Sequence, residues 1–528
     1  MIVYSLRIFI EVAWLILKNA IILAAGLGRR TIPLNFETHK AFLEVNGEIL
    51  IERLIVQLKE AGVSEIIIVI GYKKEQFRYL IDKYEVELIE NDDFANSNTL
   101  YSLSLAESYL SNSYIIPCDI WCATNPFTSK KDDSSWYMIA DISKSVTKLD
   151  DLSERLGVAF IEQSDSIWIK QRLRELANNP SQQMLAWEEL LVTDGELAIP
   201  TFKNCEHFIQ DINTFEDLIF LDDMSNHLRV ETIDIICTTF DIAPKEIKNV
   251  LALKKGMTNR SFMFECKDKS YIMRIPGEGT DKLINREHEA EVYRVIAGES
   301  ISDELIYISP EKGYKITSFI DGARNCDSNN KSDVSLCMKK LRGFHESELI
   351  TSHEFDLFGE IEFYESLRGN RESIYEDNQS VKNRVLTLKS YIQLNIEKKV
   401  LCHIDANPDN FLIFEKNNQT EVRLIDWEYA GMQDPDLDIA MFAIYSQYNR
   451  EQIDFLIDAY FEEGCEERIR MKIYAYVATA GLLWSNWCEY KQQLGVEFGD
   501  YAQSQYEYAK EFSVIVSEYL STFEDGVH

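Results

Sequence analysis

The chain has 528 residues, which at about 100–200 residues per domain predicts two to four folding units and excludes a single small module. It carries 54 Lys and Arg against 88 Asp and Glu, and the net charge of −34 argues against polyanionic partners such as nucleic acids. The 46% hydrophobic and 27% charged residues are typical of a globular protein, for which we expect small-molecule chemistry.

The N-terminus is the one segment that raises the question of a membrane. Residues 2–17 are apolar, but Arg7 and Glu11 interrupt them, and they are fewer than the roughly 18–20 apolar residues that cross a bilayer. We expect residues 1–18 to be an apolar extension that packs on the protein, with an interfacial anchor, a true span or a signal segment as alternatives. The ten cysteines are scattered, without the spacing of a zinc site or disulfide framework, so we expect reduced thiols in a cytoplasmic protein.

The first part of the chain alternates strand and helix patterns. Strands are predicted near 20–26, 66–72, 86–90 and 113–119, and helices over 50–61, 75–84 and 99–110. Strands that alternate with helices of this length are typical of right-handed βαβ units. We therefore predict an α/β domain with a Rossmann-like, mostly parallel sheet over residues 19–225.

The later part of the chain has a different pattern. Strands are predicted near 263–266, 271–275 and 313–319, helices at 232–240 and 285–296, and a strand-loop-strand region between 400 and 426. The rest of this part is mostly helical. Strands first and helices later predict a bilobal α+β domain over residues 226–528.

A turn with two glycines follows the first predicted strand. Glycines there let backbone N–H groups approach a phosphate, and Arg30 and Lys40 would supply the countercharge. Thr31 stands where the dinucleotide-binding fingerprint has its third glycine, and a tight turn with surface cations would explain the pattern equally well. The candidate nucleotide-binding residues of this segment are Leu23, Ala24, Ala25, Gly26 and Gly28.

This segment resembles the signature L-A-A-G-x-G-x-R-x-x-P…P-K of nucleoside-triphosphate transferases that make sugar-nucleotides and CDP-alcohols, with His39 where the family has Pro before its Lys. The resemblance implies two acids that hold Mg²⁺. Asp119 and Asp211 match them, with Asn213 as a weaker neighbouring candidate, and oxygen ligands suit Mg²⁺ bound to nucleotide phosphates.

Within this family the chain is most similar to CTP:phosphocholine cytidylyltransferases, over about 19–127 and 187–218. The matching stretches are A-I-I-L-A-A-G-L-G, V-I-G-Y-K-K-E-Q-F-R-Y-L and N-D-D-F-A-N-S-N-T-L-Y-S. The likeness is lost between residues 129 and 184, so acceptor contacts there are not assigned. Trp187 matches a Trp near the family's acceptor pocket, where an aromatic face attracts a quaternary ammonium; a core Trp is the alternative.

A second set of chemically active residues lies between 403 and 426. His403, Asp405 and Asn410 form the pattern H-x-D-x-x-x-x-N, and Asp426 follows sixteen residues after the Asn. Phosphoryl transfer by kinases needs an Asp that orients the substrate hydroxyl and an Asn and a further Asp that bind Mg²⁺. Those roles fall on Asp405, Asn410 and Asp426.

Residues further upstream complete a kinase-like pattern. Thr258 and Asn259 lie in a predicted turn over the phosphates, Arg274 takes the place of the phosphate-binding cation, and Glu289 is its expected ion-pair partner, with Glu291 as the fallback. Arg in place of Lys departs from protein kinases but is normal for choline/ethanolamine kinases, which the chain resembles from about residue 240.

The resemblance to choline/ethanolamine kinases also rests on M-T-N-R-S-F, I-N-R-E-H-E-A-E-V-Y and D-W-E-Y-A-G-M-Q-D-P-D-L-D-I-A, where Asp438 matches a family acid. Trp484 and Trp487, three residues apart, share one helix face. In that family such a pair helps form an aromatic box for the trimethylammonium group beside carboxylates such as Glu428. Two tryptophans at this spacing could also simply be core.

Together the two blocks predict a bifunctional enzyme that phosphorylates choline with ATP and transfers CMP from CTP to phosphocholine, with Mg²⁺ at both sites. The alternative is a sugar-phosphate nucleotidyltransferase fused to an aminoglycoside-type, ethanolamine or sugar kinase. A block that only senses nucleotides is disfavoured, because both sets of metal-binding candidates are intact. Homo-oligomerisation and the final acceptor of the activated choline are left open.

Overall fold

A computed structural model describes residues 17–28, 31–36, 38–128, 132–139, 155–193, 196–203, 209–253, 259–277, 283–369, 371–496 and 498–524. Contacts divide the chain into two compact units, one of residues 1–253 and 262–269 and one of residues 254–261 and 270–528. Most of the predicted extension 1–18 and the candidates Arg30 and Thr258 lie outside the described residues. Within the described ranges, no helix combines the length and apolar character needed to cross a membrane.

The strands before residue 241 are β1 (Lys18–Ala24), β2 (Glu44–Val45), β3 (Glu48–Ile49), β4 (Val63–Ile70), β5 (Glu87–Glu90), β6 (Ser113–Pro117), β7 (Ile120–Cys122), β8 (Trp136–Ile139), β9 (Arg155–Ile161), β10 (Val192–Thr193), β11 (Glu196–Leu197), β12 (Thr201–Lys203) and β13 (Ile209–Asp211). The helices are α1 (Leu50–Glu60), α2 (Tyr79–Tyr84), α3 (Thr99–Leu105), α4 (Gln163–Ala177), α5 (Phe215–Leu221) and α6 (Glu231–Phe240).

One sheet joins strands in the order β12-β8-β9-β6-β1-β4-β5. Strand β1 pairs in parallel with β4 and β6, β4 with β5, and β12 with β8, whereas β9 is antiparallel to β6 and β8. This mostly parallel sheet confirms the predicted fold class. Along β1, Ile21 and Leu23 belong to the core on one face and Ala20 and Ile22 to the core on the other, because side chains alternate along a strand.

The carboxyl ends of β1, β4 and β6 meet at one edge, since these strands are parallel. The glycine turn follows β1, and Asp119 follows β6. Ligands of open α/β sheets bind outside the carboxyl ends of the strands, so this edge holds the first candidate site.

The strands after residue 240 are β14 (Lys248–Ala252), β15 (Asn259–Cys266), β16 (Lys269–Pro276), β17 (Leu305–Ile308), β18 (Lys315–Ser318), β19 (Arg324–Asn325), β20 (Val400–Cys402), β21 (Phe411–Lys416), β22 (Gln419–Leu424) and β23 (Gly431–Gln433). The helices are α7 (Arg286–Val295), α8 (Lys331–His345), α9 (Leu357–Leu367), α10 (Asn378–Leu394), α11 (Asp436–Tyr445), α12 (Arg450–Tyr460), α13 (Glu467–Gln493) and α14 (Asp500–Glu524).

This part begins with a five-stranded sheet in the order β14-β15-β16-β18-β17 and continues into helices α8 to α14, which share one core. Strands followed by helices confirm the predicted kinase-like α+β class. Helix α13 is buried along most of its length. At its centre, Gly481 allows a close approach of α14, since a Cβ there would lie 2.6 Å from the Gln505 carbonyl oxygen.

Candidate active sites

The glycine turn after β1 is held by hydrogen bonds to one carbonyl group. Gly28 has a φ of +60°, and its carbonyl oxygen accepts hydrogen bonds from the Thr31 N–H (3.0 Å), the Thr31 hydroxyl (2.8 Å) and the Asn35 amide (2.9 Å). A Cβ at Gly28 would lie 3.0 Å from the Thr31 hydroxyl, so conformation and space both favour glycine. At Gly26, no described atom comes within 4 Å of the position of a Cβ, which leaves the backbone open to a ligand.

The other candidates of this segment lead into the turn. Leu23 and Ala24 end β1, and the carbonyl oxygen of Ala25 accepts a hydrogen bond from the Tyr72 N–H (3.1 Å), just after β4. The turn is therefore anchored to the neighbouring parallel strand.

Lys40 and Asp119, predicted for different roles, form an ion pair. The Lys40 Nζ lies 2.5 Å from the Asp119 Oδ2, and Asp119 is buried. Pairing of β7 with β13 brings the second acid close, because Asp211 is opposite Ile120 and the Ile212 N–H donates to the Asp119 carbonyl (2.8 Å). The structure thus places Asp119 and Asp211 side by side, although about ninety residues separate them in sequence.

His39, which departs from the family pattern, is a buried neutral side chain. Its Nδ1 accepts a hydrogen bond from the Ala41 N–H (3.1 Å), and its ring packs 5.0 Å from that of Phe77. Burial, together with the charge of Lys40, lowers the pKa of His39 to about 3. His39 therefore adds no charge beside Lys40 at neutral pH.

In the second site, Arg274 of β16 makes a bidentate ion pair with Glu289 of α7, at 2.5 and 2.6 Å. Glu289, not the fallback Glu291, is the partner; Glu291 instead accepts hydrogen bonds from the Ser352 N–H and hydroxyl, both at 2.7 Å. Although burial alone would raise the pKa of Glu289, the charges of Lys315 and Arg274 lower it to about 2.

Lys315 of β18 is a cation of this site that the sequence analysis missed. Its Nζ lies 3.1 Å from Glu289 and 3.8 Å from Asp426, and it donates to the Tyr293 hydroxyl at 2.8 Å. Lys315 is directly opposite Arg274 in the β16–β18 pair. A lone Lys in a predicted strand is no signal by itself, because the register that brings it to Arg274 is decided by strand pairing.

The loop after β20 is positioned by a buried acid. Asp438 accepts hydrogen bonds from the backbone N–H groups of His403 and Ile404, both at 2.7 Å, and from the ring of His345 (3.0 Å). Ile404 has a φ of +67°, a conformation that costs a β-branched residue about 1–3 kcal/mol. Asp438 offsets that cost and directs the next residue, Asp405.

Asp405, Asn410 and Asp426 lie close together. The Asn410 amide donates to the Asp405 carboxylate (2.9 Å), and the Ile425 N–H, one residue before Asp426, donates to the Asn410 carbonyl (3.0 Å). Burial raises the pKa of Asp405 to about 7; a hydrogen bond from Tyr445 opposes this effect, and the charge of Asp426 adds to it. Asp405 is thus poised to exchange a proton near neutral pH.

Trp484 and Trp487 belong to a buried aromatic cluster on α13. Their ring centroids are 5.5 Å apart at 82°, and Trp484 also contacts Tyr429 edge-on at 6.0 Å and Tyr445 at 5.5 Å. The Tyr445 hydroxyl bonds to Asp405, so the cluster adjoins the candidate base. Tyr429 and Tyr445 are further members that the spacing of the two tryptophans did not indicate.

Glu428, two residues after Asp426, contacts Asn259. The Asn259 amide donates to the Glu428 carboxylate (2.8 Å), which also lies 3.4 Å from Arg274. Burial and the charge of Asp426 raise the pKa of Glu428 to about 7. These contacts put Glu428 beside the candidate phosphate-binding residues, and its predicted contact with the trimethylammonium group stays a prediction.

Comparison with known proteins identifies both parts of the chain. The model of the choline/ethanolamine kinase family matches residues 250–479, and that of the MobA-like NTP transferase domain matches residues 20–129. The chain joins an NTP transferase domain to a choline/ethanolamine kinase domain. Both domains belong to enzyme families.

Curated relatives match each domain separately. The LicA protein of Haemophilus influenzae is 29% identical over 265 residues, which cover 47% of this chain and 75% of that protein. The choline-phosphate cytidylyltransferase of Streptococcus pneumoniae is 47% identical over 121 residues, which cover 23% of this chain and 53% of that enzyme. The match thus spans about half the length of the cytidylyltransferase relative. The crystal structure of choline kinase LicA from Streptococcus pneumoniae, 29% identical, covers 53% of this chain and 98% of that one, with a TM-score of 0.46.

The kinase domain has a donor set that fits Mg²⁺. Asp426, whose side chain is 33% exposed, and Asn410 offer oxygen atoms next to Asp405, and Mg²⁺ prefers such ligands. Arg274 and Lys315 lie 3.4 and 3.8 Å from Asp426 and are the candidate cations for phosphate oxygens.

The donor set of the NTP transferase domain is also made of oxygen atoms. Asp119 and Asp211 supply carboxylates, and the Asn213 amide donates to the Asp211 carboxylate. Because Lys40 already contacts Asp119, a metal ion would share this carboxylate with the Lys40 ammonium.

Trp187 of the NTP transferase domain lies in the core. Trp187 is 2% exposed, and its ring packs against Tyr137 with ring centroids 6.1 Å apart. Its backbone N–H donates to the Thr99 hydroxyl (2.9 Å). This placement agrees with the alternative of a core Trp, and the predicted acceptor contact stays a prediction.

Proposed function

We propose that this chain makes CDP-choline in two steps. The kinase domain would phosphorylate choline with ATP, and the NTP transferase domain would then transfer CMP from CTP to phosphocholine and release pyrophosphate. The observation that carries the proposal is the presence, in one chain, of a kinase domain similar to LicA and a domain similar to choline-phosphate cytidylyltransferases. We assign residues 19–225 and 226–528 to the two activities.

In the kinase step, the Asp405 carboxylate accepts the proton of the choline hydroxyl as the hydroxyl oxygen attacks the γ-phosphorus of ATP. The bond from this phosphorus to the bridging oxygen breaks, and ADP leaves. Arg274 and Lys315 bind phosphate oxygens, while Asn410 and Asp426 would hold Mg²⁺, which neutralises phosphate charge. The faces of Trp484 and its neighbouring rings attract the trimethylammonium group, an interaction worth about 0.5–2 kcal/mol per ring.

In the transferase step, a phosphate oxygen of phosphocholine attacks the α-phosphorus of CTP, and the bond to pyrophosphate breaks. The glycine turn and Lys40 bind the phosphates, with Arg30 proposed as a second cation, and Asp119 and Asp211 would hold Mg²⁺. Since charge develops only on phosphate oxygens, positioning and electrostatic stabilisation supply the catalysis.

The cellular location follows from the substrates. ATP and CTP are cytoplasmic metabolites, and all nine cysteines of the described ranges are free thiols, as a reducing compartment requires. We therefore propose a cytoplasmic enzyme.

A direct test incubates the protein with choline, ATP, CTP and Mg²⁺ and follows CDP-choline by mass spectrometry. We expect CDP-choline in the complete mixture, phosphocholine alone when CTP is omitted, and neither product when ATP is omitted. CDP-choline made without ATP would contradict the order of steps.

The second candidate is ethanolamine in place of choline, because the matching family includes both kinase types. The aromatic cluster around Trp484 favours the quaternary ammonium, which has no N–H groups to donate. We expect a higher kcat/KM for choline than for ethanolamine; the reverse ratio would identify an ethanolamine kinase.

A further inference from the structure

A basic groove lies on the kinase part of the chain, and its lining includes none of the residues assigned to catalysis. It has a volume of about 710 Å³ and is bounded by helix α8, strand β22 and the segment 299–301. Its lining includes the cations Lys339, Lys340, Lys416 and Arg423. The volume is within the range of about 300–1,000 Å³ that small-molecule sites occupy.

The charge of this groove is opposite to that of the chain. Four cations and the two acids Glu299 and Glu421 line it, so its local charge is 4 − 2 = +2, against −34 for the whole protein. Arg423 and Glu421 pair at 2.6 Å. Among the described residues, Lys339, Lys340 and Lys416 form no ion pair within 4.0 Å, so their ammonium groups can approach an anion.

Lys340 is the most constrained of these three lysines. Its ammonium donates to the Ser300 carbonyl at 2.8 Å, and its side chain is partly buried next to Arg423. Burial, together with the charge of Arg423, lowers the pKa of Lys340 to about 8. An anion between the two cations would relieve their repulsion.

We propose that this groove binds a small anion that carries a phosphate group. Ammonium and guanidinium groups form short, charge-assisted hydrogen bonds to phosphate oxygens. A charge of two or more on the ligand matches the local +2, whereas a long polyanion would extend beyond the groove and be repelled by a chain with a net charge of −34.

The groove is joined to the candidate kinase site by direct contacts. Phe344 of its lining packs edge-on against Trp427, with ring centroids 5.0 Å apart. The Leu424 N–H donates to the carbonyl of Ile301, another lining residue, at 2.9 Å. Leu424 and Trp427 flank Asp426, so an anion in the groove binds directly behind the strand that presents this acid.

The test is calorimetric titration of the full chain with inorganic pyrophosphate, without Mg²⁺. The variant is the triple substitution Lys339→Gln, Lys340→Gln, Lys416→Gln, and the control is Lys389→Gln, which removes one charge from the exposed face of α10. We expect the wild type and the control to show the same pyrophosphate-binding event. In the triple variant, the affinity of this event should fall about tenfold or more. The same affinity and stoichiometry in all three proteins would overturn the proposal.

Two further measurements keep the result interpretable. If the triple variant does not fold, the double variant Lys339→Gln, Lys416→Gln changes only exposed side chains, and it should still weaken binding. Pyrophosphate should raise the unfolding temperature of the wild type more than that of the variant, because a ligand that binds only the folded state stabilises it. A parallel titration with CTP tests a nucleotide as the source of the phosphate, and equal binding of CTP by wild type and variant would exclude it.

Discussion

Three features position the Asp405 carboxyl group. The backbone before it has a positive φ that Asp438 maintains, the Asn410 amide donates to it, and the Tyr445 hydroxyl bonds to it from the aromatic cluster. Burial and the charge of Asp426 keep the pKa of Asp405 near neutrality, whereas buried Glu289, between Arg274 and Lys315, stays ionised. The two carboxylates are therefore suited to different tasks.

Replacement of this carboxylate should separate the two activities. We expect Asp405→Asn to lower kcat for choline phosphorylation by about 10²–10⁴-fold, because an amide accepts no proton from the hydroxyl. Steady-state rates of ADP formation measure this change. Asp409→Asn, an exposed acid of the same loop, is the matched control and should keep its rate.

The raised pKa of Asp405 predicts a pH dependence. The base must be ionised, so kcat/KM of the kinase reaction should fall about tenfold per pH unit below about 7. Initial rates between pH 5 and 8 would show this limb. A profile flat down to about pH 5 would mean that the free enzyme holds Asp405 ionised.

Among the secondary-structure elements, helix α13 contributes both to the stability of the helical core and to the proposed choline site. One face carries Trp484 and Trp487 toward Tyr429 and Tyr445, while Gly481 allows the backbone of α14 to come close. A helix buried on nearly all sides has few positions at which a larger side chain fits.

Gly481→Ala should therefore destabilise the protein. The new Cβ would lie 2.6 Å from the Gln505 carbonyl oxygen, and overpacking of this kind costs about 1–3 kcal/mol. Urea unfolding followed by circular dichroism measures the change. In the control Gly343→Ala on α8, no described atom lies within 4 Å of the new Cβ, so stability should stay equal or rise by up to about 1 kcal/mol. Equal losses in both variants would show that α13 and α14 separate readily.

Across the whole molecule, the acidic charge of the chain opposes the anionic nucleotides that we propose as its substrates. Two of the cations proposed to bind phosphates are each paired with an acid, Lys40 with Asp119 and Arg274 with Glu289. These pairs hold the cations in place, while the net charge of −34 acts at longer range and is screened by salt.

If the two sites act independently, their defects should complement each other. Asp119→Asn should abolish cytidylyl transfer and leave choline phosphorylation intact, the reverse of Asp405→Asn. A mixture of the two variants should then make CDP-choline, because phosphocholine released by one protein reaches the other by diffusion. Neither variant alone should form it from choline. A mixture that makes phosphocholine but no CDP-choline would indicate that the intermediate must pass within one chain.

The amino-acid sequence was sufficient to predict the two fold classes, the glycine turn and the H-x-D-x-x-x-x-N pattern. Each of these is a local property, because hydrophobic periodicity, turn residues and short spacings are written in consecutive residues. Predicted helices such as 50–61 and 232–240 agree with α1 and α6 within one residue at each end for the same reason.

The contacts between residues far apart in sequence became apparent only from the tertiary structure. The pairing of β7 with β13 brought Asp211 to Asp119, the register of β16 and β18 placed Lys315 opposite Arg274, and the orientation of α7 selected Glu289 over Glu291. Tyr429 and Tyr445 joined the two tryptophans, and four cations from α8, β21 and β22 formed one groove. Such contacts depend on strand register and helix packing over long sequence separations, which no single stretch of residues specifies.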